Sequence, residues 1–210
     1  MDIIKRTKIE SIRDSPIPFL YMVKTYTPHG DPTIASFPVL EKPYLSYIAN
    51  IWLKEKLLMI PKSRQMMASW LMVSLFLWEA LVREGKYTFF QSRLEDAAGF
   101  GTRLSLLSRA QFIAENLPVI PDMVIHKKPP TIFFPQTNST IHAVPQTSDA
   151  FRTYTASGIL ADEVAFQPEA EAAYTAARPT LDGGGRYTGL SSAYGKNFFW
   201  RTCYDQVKEK

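Results

Sequence analysis

Residues 57–69 read Leu57-Leu58-Met59-Ile60-Pro61-Lys62-Ser63-Arg64-Gln65-Met66-Met67-Ala68-Ser69, and this stretch decides the fold class. Leu57 to Ile60 is an unbroken apolar run stopped by Pro61, as expected of a buried parallel strand. Lys62 to Gln65 is polar. From Met66 to Trp78 only Ser69 and Ser74 interrupt the apolar residues, which predicts a helix buried on most sides and reaching about Glu84. The run is shorter than the roughly 20 apolar residues that a membrane span requires. A strand, a short loop and a helix in that order can wrap backbone N–H groups around phosphate.

The pattern continues outward. Pro43 to Lys56 has helical spacing, with Tyr44, Tyr47, Ile48, Ile51 and Trp52 on one side. Downstream of the stop at Gly85, Tyr87–Gln91 reads as a second strand, and helices fit Leu94–Ala98 and Thr102–Asn116, the latter with Leu104, Leu107, Phe112 and Ile113 as its stripe. Thr131–Phe134 and Thr140–Val144 predict a β-hairpin, and Ser157–Ala161 a strand ending in Asp162-Glu163. Glu169–Thr175 reads as a helix that Pro179 ends, and Gly183-Gly184-Gly185 turns into the strand Tyr187–Leu190. Strands alternating with helices predict an α/β fold with a mostly parallel central sheet flanked by helices, plus the hairpin. Residues 1–36, with prolines at 16, 18, 28 and 33, predict a loosely structured N-terminal arm with one short helix near Pro18–Thr25. Residues 37–210 then form the single domain.

Composition bounds the function. Of 210 residues, 46% are hydrophobic and 21% charged, which excludes disordered and collagen-like classes. A single cysteine, Cys203, excludes a disulfide scaffold and agrees with a reducing compartment. The N-terminus has no apolar segment of the signal-peptide kind. The net charge of +4 permits a polyanionic partner without demanding one.

Three segments carry chemistry. Laid on G-x-x-x-x-G-K-[ST], the window Lys62–Ser69 keeps only Ser69; Met67 stands for the second glycine and Ala68 for the lysine. Alone, the window is a weak match and reads better as an ordinary strand-to-helix turn. Charge placement favours phosphate: Lys62 opens the window, Arg64 follows, and Ser69 is placed to offer its hydroxyl to Mg²⁺. Asp162 and Glu163 close an apolar strand, where paired carboxylates are costly without a partner. In an ATPase the aspartate serves the Mg²⁺ shell and the glutamate the attacking water; an acidic pair on a solvated strand end is the other reading. Ser191 and Ser192 end a third strand, where they can sense a γ-phosphate or simply form a turn.

In their order and spacing these segments resemble the large terminase subunit of tailed bacteriophages, the ATPase that packages DNA into the capsid. Lys62-Ser63-Arg64-Gln65 is similar to the deviant branch of its Walker A motif, with the lysine at the head. Leu160-Ala161-Asp162-Glu163 resembles Walker B with the catalytic glutamate. Ser191-Ser192-Ala193-Tyr194-Gly195 resembles the coupling motif, with Ala193 where proline is usual, and Ala150-Phe151-Arg152-Thr153 the Arg-Gly segment, with threonine for glycine. The resemblance covers roughly Pro43 to Trp200. It implies a P-loop NTPase of the RecA-like (ASCE) type that binds ATP with Mg²⁺ through residues 62–69, including Met66, with Asp162 and Ser69 at the metal. It further implies double-stranded DNA as partner, a homo-oligomeric ring on the capsid portal, a small terminase subunit, and work in the host cytoplasm at the procapsid, with no membrane. The family's adenine-contacting aromatic is followed by glutamine; here Tyr44-Leu45 stands, making Tyr44 the adenine-side candidate. The family's usual nuclease domain has no counterpart among the scattered acids after Glu163.

Arg152 precedes the strand that delivers Glu163, so it is placed toward a domain edge and suits an arginine finger offered to a neighbouring subunit. A surface arginine, or one paired with Asp149, is the alternative. Two other functions stand against the motor: a helicase-like ATPase, usually with two ATPase domains in one chain, and a non-catalytic nucleic-acid-binding or assembly module with a decayed P-loop. His29, His126 and His142 lack ligand spacing for zinc. Lys127-Lys128 beside Pro129-Pro130 reads as an exposed basic loop.

Overall fold

The computed structural model describes residues 12–26, 33–146 and 155–205, with the side chains of 180–182 left aside. In chain order these residues form α1 (Pro16–Leu20), β1 (Lys24–Tyr26), β2 (Ile34–Ser36), α2 (Pro43–Lys54), β3 (Leu57–Pro61) and α3 (Ala68–Val82). There follow β4 (Tyr87–Gln91), α4 (Glu95–Ala98), α5 (Leu106–Glu115), β5 (Val124–Lys127), β6 (Pro130–Phe134) and β7 (Ser139–Val144). The last third holds β8 (Gly158–Asp162), a 3₁₀ turn (Val164–Phe166), α6 (Ala170–Asp182), β9 (Arg186–Ser191) and α7 (Phe198–Tyr204).

Seven strands make one sheet in the order β3-β9-β8-β4-β7-β6-β5. The pairs from β3 to β7 are parallel, and β7-β6 and β6-β5 are antiparallel. The mostly parallel α/β architecture expected from the sequence is therefore present, and the expected hairpin is β6-β7. Strand periodicity sends neighbouring apolar side chains to opposite faces. Phe90, Leu160 and Leu190 join one core, with α3 and α5; Phe89, Ile159 and Tyr187 join another, with α6 and α7. The sheet is thus sandwiched between helical layers, and its five parallel strands end at one edge.

α3 is the central helix. Trp70 to Ala80 are all buried, because the sheet lies on one side and α1, α2 and α5 on the others. It approaches β8 closely: a Cβ on Gly158 would stand 2.6 Å from the Phe76 ring. Its far end is anchored by charge. Glu79 pairs with Lys86 at 3.2 Å and with Arg186 of β9 at 3.6 Å. Arg186 also donates to the Trp52 carbonyl and lies 3.7 Å from the Trp52 ring centroid, while the Trp52 indole donates to Thr188 at 3.1 Å. One buried group of charges thereby joins α2, α3 and β9.

Several local expectations are corrected. β3 is parallel but lies at the edge of the sheet and is half-exposed, so its apolar run reflects packing on one side. The helix expected near Pro18–Thr25 is Pro16–Leu20, capped by Ser15, and the chain then extends as β1 against β2. Within the expected arm, Phe19, Leu20 and Val23 are buried in the α3 core, and the Trp78 indole donates to the Ile12 carbonyl at 2.6 Å. α5 starts at Leu106 instead of Thr102, because Thr102 and Ser105 hydroxyls accept from the backbone N–H groups of Leu104 and Thr102. Leu104 is consequently exposed. Pro179 lies inside α6, which runs on to Asp182 and is closed by Gly183 N–H on the Pro179 carbonyl at 3.0 Å. Lys127 and Lys128 are exposed, as expected, but belong to a tight β5-β6 hairpin, with Lys127 4.0 Å over the Phe100 ring.

Removing Glu79 leaves Arg186 buried without its counter-charge. Glu79→Ala is expected to lower the unfolding free energy by about 3–5 kcal/mol in a denaturant titration. A loss below about 1 kcal/mol would show that the anchor contributes little.

Candidate functional site

The carboxyl ends of β3, β9 and β8 lie side by side, since Pro61 pairs with Ser191 and Asp162 with Leu190. Open α/β sheets hold ligands at this edge. The loop of residues 62–67 leaves β3 here and leads into α3, whose first N–H groups have no partner within the helix.

Asp162 joins the loop to β8. Its Oδ2 accepts from the Ser69 hydroxyl at 2.7 Å, and its Oδ1 lies 3.6 Å from Lys62 Nζ. Oδ1 also accepts the Glu163 N–H at 3.0 Å, and the Asp162 carbonyl accepts from the Gln167 amide at 2.8 Å. Lys62 and Asp162 are both largely shielded, with side chains 17% and 10% exposed, so their attraction is screened less than a surface pair's. The expected lysine at the head of the loop and the expected serine at its end thus meet on one carboxylate. Glu163 itself is exposed and projects beyond them.

The loop keeps a glycine-like backbone conformation although the glycines of the usual pattern are absent. Met67 has φ 57° and Gln65 φ 63°, both left-handed. Met67 occupies the second-glycine position and adopts the conformation for which glycine is suited, at the cost of some strain. Ala68 is buried at the start of α3, so no cation stands at the usual lysine position. Ser63, Arg64 and Gln65 are exposed along the loop, and Ser63 N–H points to the Met66 sulfur at 3.3 Å. Tyr44, from the first turn of α2, is brought to the loop, where its hydroxyl donates to the Met66 carbonyl at 3.0 Å.

Ser191 lies at the centre of the strand ends. Its carbonyl accepts the Lys62 N–H at 2.9 Å, and its hydroxyl accepts the Ala165 N–H at 3.1 Å. It is fully buried and joins the loop of residue 62 to the turn following Glu163; Ser192 is half-buried beyond it. Asn197 ties the next segment to the same turn, donating to the Ala165 and Tyr194 carbonyls at 2.7 and 2.8 Å. Arg152 lies outside the described residues, as do Ala150, Phe151 and Thr153.

Sequence reading missed Gln167, Asn197 and Arg109. Asn197 carried a signal, since asparagine before Phe198 reads as a helix N-cap. Arg109, on α5, places its guanidinium 5.2 Å from the Trp70 ring centroid. Burial lowers its pKa, partly opposed by the charges of Asp162 and Glu163. No spacing rule links residue 109 to residue 162.

The chemistry open to this edge is that of a phosphate site: a cation, a hydroxyl, a shielded carboxylate and an exposed carboxylate at the N-terminus of a long helix. No group of three or more His, Cys, Asp or Glu gathers among the described residues. Mg²⁺ with a nucleotide needs only one or two protein carboxylates besides the phosphates.

No protein-family model and no curated protein matches the sequence. Solved structures do. The HK97 bacteriophage large terminase aligns with TM-score 0.63 and 13% identity, over 92% of this chain and 41% of that one. The large terminase of a thermophilic bacteriophage, in complex with ADP, gives 0.59 and 15%, over 75% and 39%. The ATPase domain of the Thermus phage P74-26 large terminase gives 0.54 and 18%, over 70% and 63%. The fold, a mostly parallel sheet between helical layers, is the one that the ATPase domains of large terminases have, and the chain spans 41% of the HK97 protein and 39% of the ADP-bound one.

Glu163 has φ 59°, a conformation costly for any residue with a Cβ. Glu163→Gly is therefore expected to raise the unfolding free energy by about 0.5–1 kcal/mol. A decrease in a denaturant titration would mean that Glu163 stabilises the fold by contacts other than its backbone.

Proposed function

We propose that this chain is the ATPase part of a DNA-packaging motor, hydrolysing ATP to drive double-stranded viral DNA into a procapsid. The observation that carries the reading is the meeting of Lys62, Ser69 and Asp162 at the parallel edge, with Glu163 exposed beside them. The fold shared with large-terminase ATPase domains supports the same reading, and one of those neighbours is described in complex with ADP.

In this reading the loop from Lys62 through Ser63, Arg64, Gln65, Met66, Met67 and Ala68 to Ser69 surrounds the phosphates of ATP. Lys62 leaves its ion pair with Asp162 and neutralises β- and γ-oxygens, a task that the chain gives to the head of the loop because Ala68 carries no charge. Ser69 and Asp162 present the oxygen donors suited to Mg²⁺. Bound Mg²⁺ supplies charge neutralisation at the phosphate oxygens. Glu163 orients the attacking water and accepts its proton. Ser191 and Ser192 sense the γ-phosphate, and the bond from Ser191 to Ala165 gives that change a route to the segment after Glu163. Tyr44 flanks the adenine side. Arg152 acts across the interface of a homo-oligomeric ring seated on the portal, with a small terminase subunit delivering the DNA. The place of work is the host cytoplasm, at the procapsid; no described helix is long and apolar enough to cross a membrane.

Two substitutions test the assignment. Lys62→Ala is expected to weaken ATP binding by about 10–100-fold, the size of a charge-assisted contact. Glu163→Gln is expected to retain Mg-ATP binding and lower hydrolysis by about 10²–10⁴-fold, because the amide keeps the shape and removes the base. Calorimetric binding and phosphate-release assays read both. Unchanged affinity in Lys62→Ala, or normal turnover in Glu163→Gln, would reject the roles given to these residues.

A further inference from the structure

Among the described residues, Arg109 is a cation without a matching anion. It stands on α5, which packs against α3, and its guanidinium lies over Trp70, the residue next to Ser69. Ser69 in turn holds Asp162 at 2.7 Å. Among the described residues Arg109 makes no ion pair, and its Nε is buried without a hydrogen-bond partner. The carboxylates of Asp162 and Glu163 act on it through space without reaching ion-pair distance.

Burying part of a guanidinium is costly unless something pairs with it. Arg186, elsewhere in the molecule, shows how this chain handles a structural arginine: Glu79 pairs with it and the Trp52 carbonyl accepts from it. Arg109 has a comparable aromatic support but neither kind of anchor. A planar fork held over a ring and left unpaired is organised in advance for a planar or tetrahedral anion. The anion expected in this place, on the proposed reading of the site, is the terminal phosphate of a nucleotide.

We propose that Arg109 is a nucleotide-contacting residue supplied from within the same chain, donating to the γ-phosphate of ATP bound between the residue 62–69 loop and the Asp162–Glu163 corner. The contact distinguishes ATP from ADP, because the β-phosphate is held by the loop and only the γ-phosphate reaches α5. It differs from the role given to Arg152, which acts on a neighbouring subunit's nucleotide.

The proposal rests on the nucleotide reading of the site, and one experiment separates the two. Binding of Mg-ADP and of the slowly hydrolysed analogue ATPγS is measured by calorimetry on the intact chain, on Arg109→Gln and on Arg109→Lys, with thermal melts of each. The wild type is expected to bind both nucleotides. Arg109→Gln is expected to lose at least about tenfold in ATPγS affinity, the size of one charge-assisted hydrogen bond, with ADP affinity within about twofold of wild type. Arg109→Lys is expected to recover part of the loss. Equal losses for both nucleotides, or no loss for either, would overturn the proposal. So would failure of both variants to fold, which would make Arg109 a structural brace on Trp70. A wild type that binds neither nucleotide would instead overturn the reading of the site, and the proposal with it.

Discussion

The carboxylate of Asp162 is the point on which the site depends. It closes β8 and is held by three groups from two directions: the Ser69 hydroxyl, the Lys62 ammonium and its neighbour's N–H at Glu163. Between β8 and β3 lies β9, so the loop and Asp162 are not adjacent strands' ends but reach across one. Ser191, at the end of that intervening strand, bonds to the loop on one side and to the turn after Glu163 on the other. Loop, central strand and acidic corner therefore form one hydrogen-bonded unit. A displacement of any one of the three therefore acts on bonds to the other two.

α3 gives that unit something rigid to stand on. Its first turn carries Ser69, and its last carries Glu79, which is fastened to Arg186 and Lys86. The helix between them is buried all round. Interiors of this kind are close-packed and transmit displacement more readily than they absorb it. The strain visible at the site, in left-handed Gln65, Met67 and Glu163, lies in the loop that enters α3 and in the turn after β8, both beside the first turn of the helix. Retaining a glutamate at a position that suits glycine stores energy where the proposed chemistry occurs.

How much of this was legible in the sequence follows from the range of the forces involved. Apart from β5, the order of strands and helices between Pro43 and Tyr187 was legible because apolar periodicity is local. Lys62, Ser69 and Asp162 were legible as candidates because strand ends and helix starts have local signatures, and the structure brings these three into contact. That β3 is an edge strand was not legible: four apolar residues look alike at an edge and in a centre. Pro179 misled because one missing N–H need not end a helix already held by its neighbours. β1, β2 and β5 are short and mixed in composition, and α7 begins with aromatic residues that suit a strand as well as a helix. Arg109 was invisible for a different reason. Its place beside the site comes from packing of α5 on Trp70, a tertiary contact with no pattern in the chain.

The central claim is that this edge hydrolyses ATP in the service of moving duplex DNA. The most direct measurement is the rate of Mg-ATP hydrolysis by the intact protein, with and without double-stranded DNA of unrelated sequences and over a range of salt. The account predicts hydrolysis that rises when duplex DNA is added, irrespective of its sequence, with the stimulation declining as salt increases because the contacts are to phosphates. Absence of hydrolysis both with and without DNA would contradict it and leave a binding module with an inactive loop.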